Sequence, residues 1–423
     1  MVTPAENELM TRIDGDAPMG RLMRDHCWIP FALSSNLVHE HGPEPIRLLG
    51  ENFVAFRAAD GRLGFLDELC PHRRASLTLA RLDGNCLQCI YHGWKIDVSG
   101  CVVDAPTQLV RPERFAANVD VVHFPVHEAG GIAWVWLGGG DAPPFPDLPF
   151  TDSAYSYLCQ SRVPCNWLQG IEGTIDSVHV GMLHQTWIRE AAKMAEHSNL
   201  NFALDQPPTY ETEPASYGMR AAALRTTTDG GTYVRITEHL MPFVTVVPVG
   251  QAQPRSGSVF VISPVDDTHH LLFFGYFGDT AHSAKRPDEI CMEGPGYEPD
   301  PRDYTRFRGN RDDRWGQERA LMDGGHWTGF GRSLLEEDVV IQTSMGPILD
   351  RTKEHLSSSD VAVAQARRML LDALAAVEQG ALPPGSVRAP EPVRLPNPLE
   401  ALLRDGERWE DRSPEVLASE TSL

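Results

Sequence analysis

Apolar and polar residues follow two different rhythms along this chain. Between about residues 46 and 137 the apolar runs are short, rich in β-branched and aromatic residues, and interrupted by Gly, Asp and Ser. They predict strands over 52–57, 63–66, 95–98 and 132–137, with turns at Asp60-Gly61 and Ser99-Gly100. Residues 209–225, 232–247, 256–265 and 269–278 carry the same signature, with turns at Asp229-Gly230-Gly231 and Asp266-Asp267, and read as antiparallel strands. Helical spacing governs most of the rest. Residues 1 to about 25 place Leu9, Met10 and Ile13 on one side, behind a Thr3/Glu6 capping box. After the cap Asn166, apolar residues at 168, 171, 175, 178 and 182 recur at the helical period. A third helix opens at Ser333 and runs to about Met345, where Gly346-Pro347 stops it, and a fourth spans 360–378 and ends at Gly380.

This order of elements predicts an α+β protein. A small all-β domain comes first, then an α+β domain whose curved antiparallel sheet is packed by the 166–182 and 333–345 helices, with a pocket between helix and sheet. The expected divisions are an N-terminal helical segment over 1–40, the β domain over 41–145, the α+β domain over 146–385 and a tail over 386–423. Gly138-Gly139-Gly140 follows a strand, but Asp141-Ala142-Pro143-Pro144 cannot open a helix as a nucleotide loop requires, so the run reads as a linker. The polar stretch 281–327 reads as a loop over the pocket entrance, and the Pro-rich, acidic tail as a segment without structure of its own.

A length of 423 residues allows two or three cores. The net charge of −21 argues against nucleic acid or an anionic membrane as partner. The most apolar runs, 131–137 and 271–277, are too short to span a bilayer, and no basic segment leads into an apolar one near Met1, so a cytoplasmic protein is expected. The eight cysteines are dispersed, which suits reduced thiols better than a disulfide framework.

Two of those cysteines belong to a metal motif. Cys70-Pro71-His72 and Cys89-Ile90-Tyr91-His92 stand at the ends of one loop, each arm offering a thiolate and an imidazole. Cys₂His₂ zinc fingers pair like with like on each arm. A Rieske [2Fe–2S] centre places two Cys on one iron and two His on the other, and mixed arms satisfy it. Structural zinc is the competing reading. Gly93-Trp94 adds a turn and a bulky shield that helps set a reduction potential. Cys86 lies nearby but has no His two or three positions away, so it reads as an ordinary thiol.

A second constellation follows the linker. On the predicted helix after Asn166, Glu172, Asp176 and His179 would share a face. His184, five positions beyond His179, would point about 140° away on a regular helix at about 100° per residue. Both imidazoles can meet one metal only if the helix is distorted, and Gly181 makes distortion inexpensive. Two His and one carboxylate with open positions are what an oxygen-activating mononuclear iron(II) requires. A hydrogen-bonded core histidine beside a surface histidine is the plainer alternative.

Taken together, Cys70-Pro71-His72-Arg73, Cys89-Ile90-Tyr91-His92-Gly93-Trp94 and Asp176-x-x-His179-x-x-x-x-His184 resemble the oxygenase component of Rieske non-haem iron ring-hydroxylating oxygenases. Glu6-Asn7-Glu8-Leu9, Pro18-Met19-Gly20, Ser344-Met345-Gly346-Pro347-Ile348 and the run from Asp350 to Leu356 are similar to the phthalate-dioxygenase-type branch. The resemblance implies a third iron ligand from the late helix. Glu336, Glu337 and Asp338 are candidates there, and similarity selects Asp338 before Val339-Val340. It also implies that Asp176 bridges the first iron His to a cluster His of an adjacent protomer, in a head-to-tail homotrimer or a multiple of it.

The expected activity is that of a terminal oxygenase. It combines O₂ and an aromatic carboxylate such as a phthalate-like acid, giving a cis-dihydrodiol, with O-demethylation of a methoxylated acid or a stand-alone electron carrier as alternatives. The chain has no flavin or nicotinamide loop and no C-x₄-C-x₂-C run, so a separate reductase is implied. A buried substrate carboxylate needs a cationic partner, and Arg220, Arg225 and Arg235 lie on the predicted strands. Val234 and Ile236 facing the core would turn Arg235 away, so a surface salt bridge is the default for all three.

Overall fold

A computed structural model describes residues 2–119, 121–194, 207–227, 230–249, 255–279 and 284–412. It divides into two compact units, Ile13–Phe145 and Met1–Arg12 with Pro146–Leu423. The expected 1–40 segment is therefore not a piece of its own. Its helix is two helices, Pro4–Thr11 and Pro18–His26, each opened by a proline whose missing N–H costs nothing at that position. The first joins the larger unit, where the Asn7 amide donates to the Leu349 carbonyl at 3.1 Å.

The smaller unit is built from three antiparallel sheets. Val126–Ala129 and Ile29–Leu33 flank Ile132–Val135; Glu44–Leu48, Glu51–Arg57 and Leu63–Asp67 form a meander; and Arg81–Asp83, Cys86–Gln88, Lys95–Asp97 and Val102–Asp104 form a second. Ile29–Leu33 is buried at every position, so it lacks the alternation that reveals a strand in sequence. Val54, Phe56, Leu66, Leu77, Leu87, Trp94 and Ile96 form a core that also encloses Cys70 and Cys89.

In the larger unit, among the described residues, seven strands of an eight-stranded antiparallel sheet run in the order Tyr155–Val163, His269–Gly278, Gly257–Asp266, Val244–Val247, Thr232–Leu240, Gly218–Thr226, Thr209–Ala215, and the eighth, Leu399–Leu403, pairs with Thr232–Leu240 off this path. The expected strand over 209–225 is thus a hairpin turning at Ser216-Tyr217. The predicted turn at Asp229 and the tail beyond residue 412 lie outside the described residues.

The tail is not structureless where it is described. Leu399–Leu403 pairs with positions 232–236 of Thr232–Leu240, while Val244–Val246 pairs with 238–240 of the same edge. Without it, a row of backbone donors and acceptors would be left open where Val244–Val247 stops. Leu399 and Ala401 then pack with Val234, Ile236, Ala222 and Trp409 on one sheet face.

The opposite face is the working one. Ser258, Phe260 and Ile262 stand across from Tyr276, Phe274 and Leu272, at the two-residue period of strands. With Arg235 and Thr237 they form one wall of a cavity of about 420 Å³, and Gly173, Thr174, Asp176, His179, His184 and Asp338 form another. Part of the 281–327 segment also contributes, through Lys285, Glu289, Ile290 and Met292.

Candidate metal centres

The two arms around Cys70 and Cys89 fold alike. Cys70 N–H donates to Ala75 O (2.8 Å) and Arg74 N–H to Cys70 O (2.9 Å); Cys89 N–H donates to Trp94 O (2.9 Å) and Gly93 N–H to Cys89 O (2.9 Å). In both turns the fifth residue is left-handed, Arg74 at φ 60° and Gly93 at φ 75°. Glycine takes that conformation freely, whereas Arg74 adopts it at a steric cost.

These turns present two buried thiols and two adjacent imidazoles. The Cys70 thiol is pushed up to about 11 by burial, with the Cys89 thiol beside it adding to the effect. His72 meets His92 edge-on at 4.5 Å between ring centroids and stacks flat on Trp94 at 4.6 Å. Trp94 thus steadies a ring that the sequence placed as a ligand. His72 Nδ1 is buried without a hydrogen-bond partner. An orphaned nitrogen beside a second imidazole and two thiols is a donor set fitted to a Rieske cluster. Cys86 is a strand residue opposite Asp97, outside both turns.

The second centre rests on a helix that breaks early. Asn166 caps Trp167–Ile175, but Asp176 leaves the helix at φ −72°, ψ 117°. A short turn, His179–Met182, and the helix Gln185–Met194 follow. The distortion that the His179/His184 spacing demands is the turn at Leu183-His184, between the two short helices and not at Gly181, while Asp176–Ser177–Val178 is an earlier break ahead of both histidines. Asp176 Oδ1 accepts Val178 N–H at 2.7 Å and Tyr210 Oη receives Ser177 N–H at 2.5 Å, which replaces the lost helical bonds. Glu172 consequently does not share a face with Asp176 and His179; it turns to Arg351 and Arg367.

The Leu183-His184 turn lets both imidazoles reach one carboxylate. Asp338 Oδ1 lies 3.5 Å from His179 Nε2 and 3.1 Å from His184 Nε2. One potential ligand atom from each of the three residues lies within 4.8 Å of the others, a spacing that could hold a single metal ion. Burial opposes charge on His184, but Asp338 and then Glu337 outweigh it and push its pKa up to about 9. Asp338, though buried, is held below the usual carboxylate range by His184 and His179.

Three consecutive acids at the start of Leu334–Ser344 take three directions. Ser333 caps the helix through Glu336 N–H, while the Glu336 side chain pairs with Arg332 instead of closing a capping box. Glu337 Oε2 meets His184 Nδ1 at 2.7 Å, and Asp338 faces the two imidazoles. Spacing alone does not separate these roles, since neighbours on a helix differ only by a direction of about 100° per residue, whereas the family resemblance selects Asp338.

None of the three arginines is a surface salt bridge. Arg220 is part-buried against Glu238 and Glu213 and lies over the Trp409 ring. Arg225 is buried, and burial and then Arg235 lower its pKa to about 10. Arg235 is 6% exposed and lines the cavity; its Nη2 donates to Pro248 O at 2.6 Å and its Nε has no partner among the described residues. It does face away from the Val234/Ile236 side, but both faces of this strand are buried, so it meets the cavity and not solvent.

Comparison with known proteins agrees with these sites. Residues 27–116 match the Rieske [2Fe-2S] domain family and residues 135–420 the family described as LigXa C-terminal domain like. The chain is 34% identical to the phthalate 4,5-dioxygenase oxygenase subunit of Pseudomonas putida, over 97% of this chain and 94% of that one. It is 34% identical to the 3-chlorobenzoate-3,4-dioxygenase oxygenase subunit of Comamonas testosteroni (91% and 92% covered), and 27% identical to the 5,5'-dehydrodivanillate O-demethylase oxygenase subunit of a Sphingobium species (96% and 88%). The fold is similar to NdmA of Pseudomonas putida CBB5, with a TM-score of 0.60 at 19% identity over 92% of this chain and 100% of that one. Dicamba monooxygenase gives 0.59 at 19% identity over 84% and 98%. The chain belongs to the Rieske non-haem iron ring-hydroxylating oxygenases, as an oxygenase component of the phthalate-dioxygenase-like branch that works with a [2Fe–2S] cluster and a mononuclear iron.

Proposed function

We propose that this oxygenase cis-dihydroxylates an aromatic carboxylate, with Arg235 as the partner of the substrate's carboxylate. Cys70, Cys89, His72 and His92 would hold the cluster, and His179, His184 and Asp338 the iron. When bound, the cluster supplies electrons singly and the iron supplies the site of O₂ activation. The observation that carries the substrate class is the buried Arg235 guanidinium, whose Nε–H has no partner among the described residues, in the wall of a cavity that also holds the His-His-Asp trio. A charge so placed calls for an anionic partner, and a carboxylate accepts from it directionally. Phe260, Ile262, Leu272 and Phe274 supply apolar surface for a ring and keep water from it. His179 Nδ1, 3.4 Å from Asp176 Oδ2, donates its proton there, which leaves Nε2 free for metal.

In this reading electrons come from a separate reductase, and the working assembly is a head-to-tail homotrimer in the cytoplasm. Ile90 and Tyr91, between the ligands of the second arm, are 61% and 54% exposed, as suits a surface that meets another chain. The Asp176 side chain keeps 26% of its surface open and can be reached by a partner's imidazole. Among the described residues no helix is long and apolar enough to cross a membrane, and all eight cysteines are free thiols.

The test is product analysis with a supplied reductase, ¹⁸O₂, phthalate-like acids and methoxylated benzoates. The expected product is a dihydrodiol with both oxygen atoms labelled. Formaldehyde release from a methoxybenzoate without a dihydrodiol from any acid would replace dioxygenation by O-demethylation.

A further inference from the structure

His184 Nδ1 faces Glu337 Oε2 at 2.7 Å, and Glu337 is wholly buried. The second carboxylate oxygen receives the Thr328 hydroxyl proton. The same hydroxyl oxygen accepts Phe330 N–H at 3.3 Å and lies 3.4 Å from His326 Nδ1, so Glu337 is the nearer of its two possible acceptors. The loop beneath is tied in turn: Gly329 N–H donates to His326 Nδ1 at 3.2 Å, Gln317 Nε2 donates to Thr328 O at 2.7 Å, and His326 meets the cavity-lining Trp187 edge-on at 5.7 Å. Both oxygens of Glu337 are therefore engaged, one on the imidazole and one on a fixed loop.

His179 is held differently. Its Nδ1 faces Asp176 at 3.4 Å, in a position partly open to solvent. One imidazole of the trio thus has a half-buried, longer carboxylate contact and the other a sealed, short one.

We propose that Glu337 is a positioning residue that acts through His184 to set how tightly and in what orientation the iron is held, with Thr328 as its anchor. This rests on His184 being an iron ligand, as proposed above. Accepting the Nδ1 proton fixes the tautomer that leaves the Nε2 lone pair toward the metal, and the adjacent negative charge makes that nitrogen a stronger donor. The helix supplies both halves of the arrangement, since Asp338 follows Glu337 directly and addresses the opposite nitrogen of the same ring at 3.1 Å.

The test is Fe(II) and Co(II) affinity of the mononuclear site, measured anaerobically by competition with a chromophoric chelator on full-length protein retaining the cluster's visible bands. Glu337→Met removes the acceptor, Glu337→Gln keeps an acceptor without charge, and Thr328→Val frees the carboxylate from its anchor. Expected are losses in affinity of about 10- to 100-fold for Glu337→Met, less for the other two, and an altered Co(II) ligand-field spectrum in all three, with the metal-free protein melting as native. His184→Ala separates the two readings. If it keeps native affinity, the ligand set is wrong; if it loses metal while Glu337→Gln and Glu337→Met keep native affinity and spectrum, the positioning role of Glu337 is overturned.

Discussion

Arg351 and Glu172 close a two-point ion pair, Nε to Oε1 and Nη2 to Oε2, both at 2.8 Å and both buried. Arg367 adds a bond from its Nε to Glu172 Oε1 at 2.7 Å and pairs with Glu354. The run from Asp350 to Leu356, which the sequence offered only as a branch signature, thus ties the chain to the helix whose end presents Asp176. Burial alone would raise the Glu172 pKa, but Arg351 and Arg367 more than offset it and lower it. Removing one partner leaves an uncompensated buried charge, so Arg351→Ala should cost about 3–5 kcal/mol in denaturant unfolding of the larger unit. A loss below about 1 kcal/mol, the size of an exposed pair, would show that solvent reaches this cluster.

Asp176→Asn should retain both metals and lose turnover by at least about 100-fold, the upper range for loss of a partner that orients a metal-bound imidazole. The carboxamide still fits the turn made by Val178 N–H. Iron and sulfide content, together with steady-state rates, check this. Native turnover in the variant would remove Asp176 from the route between the two centres.

Arg235→Gln should raise KM for an aromatic acid by at least about 30-fold, since a charge-assisted hydrogen bond contributes roughly 2 kcal/mol or more. The corresponding methyl ester or amide should be affected little. Equal losses for acid and ester would mean that Arg235 shapes the wall instead of binding the carboxylate.

Two buried histidines set an acid limit on stability. Burial lowers the pKa of His239 and of His270 from the ordinary 6.5 to about 4. The unfolded chain therefore takes up protons that the folded one refuses. The stability each neutral ring confers is complete above about pH 6.5 and is lost as pH falls toward 4, up to about 3 kcal/mol for each. Thermal melts from pH 7 to 4.5 should fall less steeply for His239→Gln, whose amide can still meet the Thr245 hydroxyl that His239 Nδ1 meets at 3.0 Å. A parallel fall in variant and native protein would assign the acid sensitivity to other groups.

Much of the site was written in short-range signals. The mixed arms at Cys70 and Cys89, the caps at Thr3, Asn166 and Ser333, and the stop at Gly346-Pro347 depend on residues a few positions apart, and a linear reading finds them. So did the family, because its motifs are local. The spacing of His179 and His184 even required a broken helix, but not where it breaks. It breaks at Leu183-His184 and, ahead of both histidines, at Ser177, whose N–H is received by Tyr210 from the sheet.

What the chain could not disclose were choices made by distant partners. Sequence determined an α+β protein with a Rieske motif, two histidines for a second metal and three acids on one helix. Tertiary structure decided which acid faces the imidazoles, that Glu337 supports His184 from behind, that Leu399–Leu403 completes the sheet, and that Arg235 lies inside a cavity. The reason is that direction on a helix and burial on a strand are set by what packs against them. Those contacts join residues up to hundreds of positions apart, and neither periodicity nor propensity records them.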